Sequence, residues 1–225
     1  MTNPVKPSSS QDIQRFLQQS RELGPIKSTA GRLIFALDAT ASRQPTWDHA
    51  CQLQGDMFLA ATALGGLAVQ LFYYRGYQEA KASPWLTDTT RLLQLMTKVS
   101  CLGGHTQIAR LLHHAMAEHR QQKVQAVVFV GDCMEESADE LAHLAGQMGI
   151  LGLPLFVFQE GYDATAASTF KQLARLSGGA FHQFDQNSAS QLKDLLSAVA
   201  VYAAGGRQAL EDFEKRQGRS ILRLE

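Results

Sequence analysis

Short apolar runs alternate with helix-period segments along most of the chain, and this alternation constrains the fold more than any other feature. The runs are rich in β-branched, aromatic or leucine residues, as in strands covered by other elements. They lie at residues 33–37, 67–74, 126–130, 153–158 and 180–184. Between them, apolar residues recur at helical spacing in stretches that include Ile108, Leu141 and Leu192. The pattern predicts an α/β fold of three layers, with a mostly parallel central sheet flanked by helices.

The organisation along the 225 residues predicts one domain with an extension at each end. Residues 1–30 are predicted to be a flexible lead-in with a short helix at 12–23, and residues 31–204 the folded domain. Residues 205–225 are charged and are predicted to form a tail or helix. Residues 77–82 carry exposed-type charges, which suits an edge strand of the sheet.

Composition excludes several classes of function. Lys plus Arg and Asp plus Glu both number 21, so the net charge is zero and no long-range field attracts nucleic acid or an anionic membrane. No apolar stretch reaches the roughly 18 residues of a membrane span, and the first residues lack a hydrophobic signal core. We therefore expect a cytoplasmic protein. Cys51, Cys101 and Cys133 lack metal-binding or disulfide spacing, so we expect small, mostly buried apolar residues.

Polar residues follow two of the predicted strands and precede one predicted helix. In open parallel sheets, ligands bind beyond the carboxyl ends of the strands. Two carboxylates and three hydroxyls are expected to converge there, and they belong to Asp38, Thr40, Ser42, Thr106 and Asp132. The alternate spacing after the first run lets one loop turn its side chains toward a single point, and Gly103 and Gly104 let a second segment come close. Hard oxygen ligands of this kind favour Mg²⁺.

The combination Asp38-x-Thr40-x-Ser42, Gly103-Gly104-x-Thr106 and strand-terminal Asp132 resembles the metal-ion-dependent adhesion site of von Willebrand factor type A (vWA) domains. The resemblance covers residues 32–204. It implies a mostly parallel sheet with one antiparallel edge strand and a divalent metal at its top. Ser42, Thr40 and Thr106 would offer hydroxyls to the metal, with Asp38 and Asp132 acting directly or through water. The family usually has a serine at the position of Thr40. The additional methyl group of threonine makes this side chain stiffer.

The resemblance also implies a function without catalysis. It implies a protein-interaction module that holds Mg²⁺, with Mn²⁺ or Ca²⁺ as alternatives, and leaves one coordination position open. That position would take an Asp or Glu side chain of a partner protein. Candidate residues around it are Arg43, His105 and Glu135.

An alternative resemblance is to haloacid-dehalogenase-type phosphotransferases. In such a phosphohydrolase Asp38, which follows the first run, would be the nucleophile, and the Gly131-Asp132 pair would hold Mg²⁺. Those hydrolases usually carry a second aspartate where this chain has Thr40, and their scheme gives no role to the loop at 103–106.

Other chemistries lack their motifs. No glycine-rich phosphate loop and no GxSxG string occurs, which argues against a dinucleotide site and against Ser-His-Asp catalysis. His113 and His114 are adjacent on a predicted helix, so they point about 100° apart and do not suit one zinc ion. We expect these histidines on a solvated helix surface.

Overall fold

A computed structural model describes residues 31–43, 67–184, 189–217 and Ile221. Its strands are β1 (Gly31–Asp38), β2 (Leu67–Arg75), β3 (Glu79–Ala82), β4 (Ala126–Gly131), β5 (Leu155–Glu160) and β6 (Ala180–Phe184). Its helices are α1 (Thr89–Met96), α2 (Ile108–Gln121), α3 (Ala138–Leu151), α4 (Ala164–Ser177) and α5 (Ala189–Gln217), and a 3₁₀ turn covers Ala41–Arg43. The expectations for the lead-in, its helix and Cys51 lie outside the described residues.

The six strands form one sheet in the order β3-β2-β1-β4-β5-β6. Every neighbouring pair is parallel except β2 with β3, which is antiparallel. The predicted three-layer α/β fold with one antiparallel edge strand is therefore confirmed. On that edge, the carboxylate of Glu79 lies 2.9 Å from the ammonium group of Lys81. Because β1 lies between β2 and β4, the carboxyl ends of these three parallel strands meet at one edge of the sheet.

Alternate side chains of the sheet belong to two apolar layers. Leu33, Phe35 and Leu37 of β1 belong to the layer that includes α1 and α5. Ile34 and Ala36 belong to the layer that includes α2, α3 and α4. Burial on both faces explains why β1 is a continuous apolar run rather than an alternating one. The helices predicted near Ile108, Leu141 and Leu192 are α2, α3 and α5.

Two helices, α1 and α4, were not predicted. The Asp163 carboxylate caps α4 by accepting a hydrogen bond from Ala166 N at 2.6 Å, and the helix ends at Gly178 with φ +75°. An aspartate at the start and a glycine just after the end are typical helix caps, so both ends of α4 can be recognised in the sequence. The buried face of α4 contains Ala166, Thr169 and Ala174 beside its larger residues, which weakens its apolar periodicity.

The long helix α5 extends into the predicted C-terminal segment. Non-helical backbone at Gly206, with φ 72°, interrupts it. Within the described residues, no helix combines the length and apolar character needed to cross a membrane.

Candidate metal centre

Asp38 ends the central strand β1 and is completely buried. Its Oδ1 accepts a hydrogen bond from Thr40 N at 2.8 Å, and its Oδ2 accepts one from the Tyr74 hydroxyl at 3.1 Å. The first bond is a local aspartate turn that bends the chain as it leaves the strand. The 3₁₀ turn follows, and Thr40 Oγ1 lies 3.2 Å from Ser42 Oγ. The alternate spacing thus brings two hydroxyls together just beyond a buried carboxylate, with Ser42 exposed to solvent.

The two aspartates at this edge are electrostatically unfavourable neighbours. Burial raises the pKa of Asp38 to about 6; hydrogen bonds from Thr40 and Tyr74 oppose the rise, and the negative charge of Asp132 adds to it. Within the described part of the chain, neither carboxylate has a salt bridge. A divalent cation beside them would offset both the burial and the repulsion, so the donor set fits a hard metal ion.

The loop before α2 lies over the ends of β1 and β2. Leu102 N donates to the Ala39 carbonyl at 3.0 Å, and His105 N donates to the Gly76 carbonyl at 3.2 Å. A Cβ added at Gly104 would overlap the Gly76 carbonyl, so this close approach requires a glycine. A Cβ at Gly103 would meet no atom within 4 Å. The expected role of both glycines in close approach therefore applies to Gly104 alone.

Thr106 is fixed by the loop that follows β4. Its backbone N donates to Glu135 Oε2 at 2.8 Å, and its Oγ1 accepts a hydrogen bond from Glu135 N at 3.1 Å. Thr106 is 5% exposed. At the start of the same loop, Asp132 Oδ1 accepts from Cys133 N at 3.0 Å. The Thr106 segment and the Asp132 segment are therefore hydrogen-bonded to each other.

The next glutamate, Glu136, caps helix α2 from another part of the chain. Its carboxylate accepts hydrogen bonds from Ile108 N at 2.6 Å and from Ala109 N at 2.8 Å. The residue at the N-cap position, Gln107, makes no side-chain cap. Sequence reasoning did not assign this role to Glu136. The sequence does carry one signal for it: α2 has no Ser, Thr, Asp or Asn at its N-cap position, so its first N–H groups need a hydrogen-bond acceptor from another part of the chain.

All five predicted ligands lie at the carboxyl edge of the sheet, on three hydrogen-bonded segments. Across the described residues, no three His, Cys, Asp or Glu side chains form a metal-binding cluster, so a metal here depends on the hydroxyls. Arg43 was predicted to lie around the open coordination position, but its side chain is not among those that the structure describes. Burial raises the pKa of Cys133 to about 12, and the negative charge of Asp132 contributes, so this thiol is protonated at neutral pH.

One histidine expectation is wrong. His114 is not on a solvated surface: it is half-buried, its Nε2 lies 2.8 Å from Gln70 Oε1, and its ring centroid lies 5.1 Å from that of Phe72. Burial lowers its pKa. It belongs to the packing of α2 on β2, whereas its neighbour His113 is exposed.

Comparison of this chain with solved structures identifies its fold. No family model and no curated protein matches the sequence. The VWA domain of SpRpn10 is similar, with a TM-score of 0.61 and 12% identity over 73% of this chain and 94% of that domain. An aerotolerance-related membrane protein from Bacteroides fragilis, with multiple mutations to serines, gives a TM-score of 0.58 and 14% identity over 81% of this chain and 99% of that one.

A further similar structure is proximal thread matrix protein 1 from the mussel byssus, solved with a zinc-occupied MIDAS motif (metal-ion-dependent adhesion site). It gives a TM-score of 0.61 and 15% identity over 87% of this chain and 53% of that one. At these identities the comparison establishes architecture. The chain has the fold of vWA domains.

The phosphohydrolase alternative gains no support from these neighbours. A nucleophilic aspartate needs a free oxygen within reach of a phosphoryl group. Asp38 is fully buried, and each of its oxygens accepts a hydrogen bond from the protein. This environment does not suit an attacking carboxylate.

Proposed function

We propose that this protein is a non-catalytic interaction module that binds one divalent cation and, through it, a carboxylate of a partner protein. The proposed ligands are Asp38, Thr40, Ser42, Thr106 and Asp132. Mg²⁺ is the proposed ion, with Mn²⁺ and Ca²⁺ as alternatives. The module boundaries of 31–204 and a cytoplasmic location belong to the same proposal and rest on the sequence alone.

One observation carries the proposal. The carboxylate of Asp38 is buried and is repelled by the negative charge of Asp132. It lies just before a pair of hydroxyls, those of Thr40 and Ser42, whose oxygens are 3.2 Å apart. Among the residues that the structure describes, no basic side chain forms a salt bridge with either aspartate. A buried carboxylate held in this way destabilises a fold unless something compensates its charge. Oxygen donors of mixed carboxylate and hydroxyl type are what a hard cation accepts.

The hydrogen bonds of the five residues suggest how each would act. Thr40 and Ser42 are close enough to ligate the same ion. Both oxygens of Asp38 already accept protein hydrogen bonds, so this residue suits contact through water, whereas the backbone hydrogen bond to Asp132 reaches its Oδ1. A bound cation would supply positive charge with an open coordination position at the exposed edge, where a partner's carboxylate is the matching ligand.

Calorimetric titration of the full chain with Mg²⁺ tests the proposal, with Mn²⁺, Ca²⁺ and Zn²⁺ in parallel. Zinc is included because one structural neighbour carries it in its MIDAS motif. We expect one site, and we expect Ser42→Ala to weaken it about tenfold or more, as second-shell losses alone already cost about that much. Ser168→Ala, an exposed hydroxyl on α4, is the matched control and should leave the affinity unchanged. Absence of binding at millimolar metal would contradict the proposal.

If metal binds, partner capture with and without chelator tests the second half. A partner retained in Mg²⁺ and released by chelator supports a role for the cation in recognition. A partner that stays bound in chelator and also binds Ser42→Ala contradicts it.

A further inference from the structure

Beside the candidate metal centre lies an exposed apolar surface that the metal site does not use. Tyr77 is 74% exposed and Leu102 is 52% exposed. The ring of His105 meets that of Tyr77 edge to face, with the centroids 5.2 Å apart. Single exposed apolar residues are ordinary on protein surfaces, but adjoining ones are typical of interaction sites. We call Tyr77, Leu102 and His105 the aromatic rim.

The aromatic rim is held against the metal site by the backbone. Leu102 N donates to the carbonyl of Ala39, which lies between two of the proposed site residues. His105 N donates to the Gly76 carbonyl, and Gly76 N donates to the Leu102 carbonyl at 3.3 Å. The Leu102 side chain packs over Gly76, since a Cβ there would lie 3.2 Å from Leu102 Cδ2. The rim is therefore continuous with the site and in fixed register with it.

One acidic side chain, that of Glu135, borders the aromatic rim. Tyr77 follows the end of β2, Leu102 and His105 lie in the loop before α2, and the loop after β4 contributes Glu135. This carboxylate is half-exposed, accepts a hydrogen bond from Thr106 N, and has Oε2 3.9 Å from His105 Nδ1. A second acidic group of a partner would be repelled near Glu135. An uncharged, apolar group of the partner would not meet this repulsion on the aromatic rim, which Glu135 borders at His105.

We propose that the aromatic rim binds a large apolar or aromatic side chain that neighbours the metal-binding carboxylate of the partner. The partner segment is then a single Asp or Glu beside a residue such as Phe, Tyr or Leu, rather than a run of acids. This inference rests on the proposed function. The cation supplies the attraction for the carboxylate, and the rim supplies selectivity through apolar burial.

Small carboxylates test this chemistry without a known partner. The full ¹⁵N-labelled chain is titrated with Mg²⁺ alone and then, at saturating Mg²⁺, with acetate, 3-phenylpropionate or uncharged 3-phenylpropanamide, with NMR shifts as the readout. We expect 3-phenylpropionate to bind about tenfold more tightly than acetate, as burial of part of a phenyl ring predicts. The amide should bind far more weakly than its acid.

Variants separate the rim from the metal site. Tyr77→Ser with Leu102→Ser should reduce the preference for 3-phenylpropionate to about threefold or less while leaving Mg²⁺ affinity unchanged. Ile150→Ser, an 89% exposed apolar residue at the end of α3, is the matched control and should keep the full preference. The inference is overturned if Mg²⁺ binds but both acids bind equally, or if the preference survives the double substitution. Failure of the first titration, with Mg²⁺ alone, instead overturns the proposed function and this inference with it.

Discussion

Removing the carboxylate of Glu136 should destabilise the fold measurably, because this side chain replaces the missing cap of α2. It accepts two hydrogen bonds, at 2.6 and 2.8 Å, from the first backbone N–H groups of the helix. Loss of a capping side chain costs about 0.5–2 kcal/mol, and hydrogen bonds to charged groups contribute about 1.5–3 kcal/mol each. Because the carboxylate is half-buried, we expect Glu136→Ala to lower the free energy of unfolding by about 2–3 kcal/mol.

Glu136→Gln separates the charge from the shape of the cap. The amide keeps one acceptor oxygen but loses the charge and the second acceptor, so we expect a loss of about 1–1.5 kcal/mol. Urea denaturation followed by circular dichroism measures both variants, with an unchanged dependence on denaturant as evidence that compactness is preserved. Glu211→Ala, an exposed glutamate on α5, is the control and should stay within about 0.5 kcal/mol of the wild type. If Glu136→Ala matches this control, the capping role is wrong.

Three further predictions concern the stability of the fold. Gly104→Ala should destabilise the protein by about 2 kcal/mol or more in thermal unfolding, because its Cβ would overlap a backbone carbonyl, whereas Gly103→Ala should stay within about 1 kcal/mol. Arg32→Ala should cost about 2 kcal/mol in urea, since half-buried Glu118, now 3.0 Å from the guanidinium, loses its ion pair and keeps its hydrogen bond from Trp85 Nε1; a loss below about 1 kcal/mol would refute this. Asp163→Ala should cost about 1 kcal/mol by removing the cap of α4, and an unchanged urea midpoint would contradict it.

Strand positions were predictable because burial on both faces leaves a continuous apolar run. β1 and β4 are such strands, and their ends therefore located Asp38 and Asp132. The edge strand β3 was predictable from its charged residues, because Glu79 and Lys81 need the solvent that an exposed sheet edge provides. Helix α4 was missed because alanine and threonine supply part of its buried face.

The contacts that join the site segments were not predictable from local pattern. Glu136 lies 28 residues from Ile108, whose N–H it binds, and Glu135 lies 29 residues from Thr106. Only the topology, which places the loop after β4 against the start of α2, creates these pairs. The aromatic rim was hidden for the same reason, because Tyr77 and His105 meet only when the turn after β2 faces the loop before α2.

Anomalous diffraction from crystals of the full chain grown with Mn²⁺ would locate a bound cation and its ligands. We expect one Mn²⁺ peak at the carboxyl edge, with Thr40 Oγ1, Ser42 Oγ and Thr106 Oγ1 at coordination distances of about 2.0–2.3 Å and an aspartate bound directly or through water. No peak at that edge, or a peak whose ligands exclude the Thr40 and Ser42 hydroxyls, would contradict it.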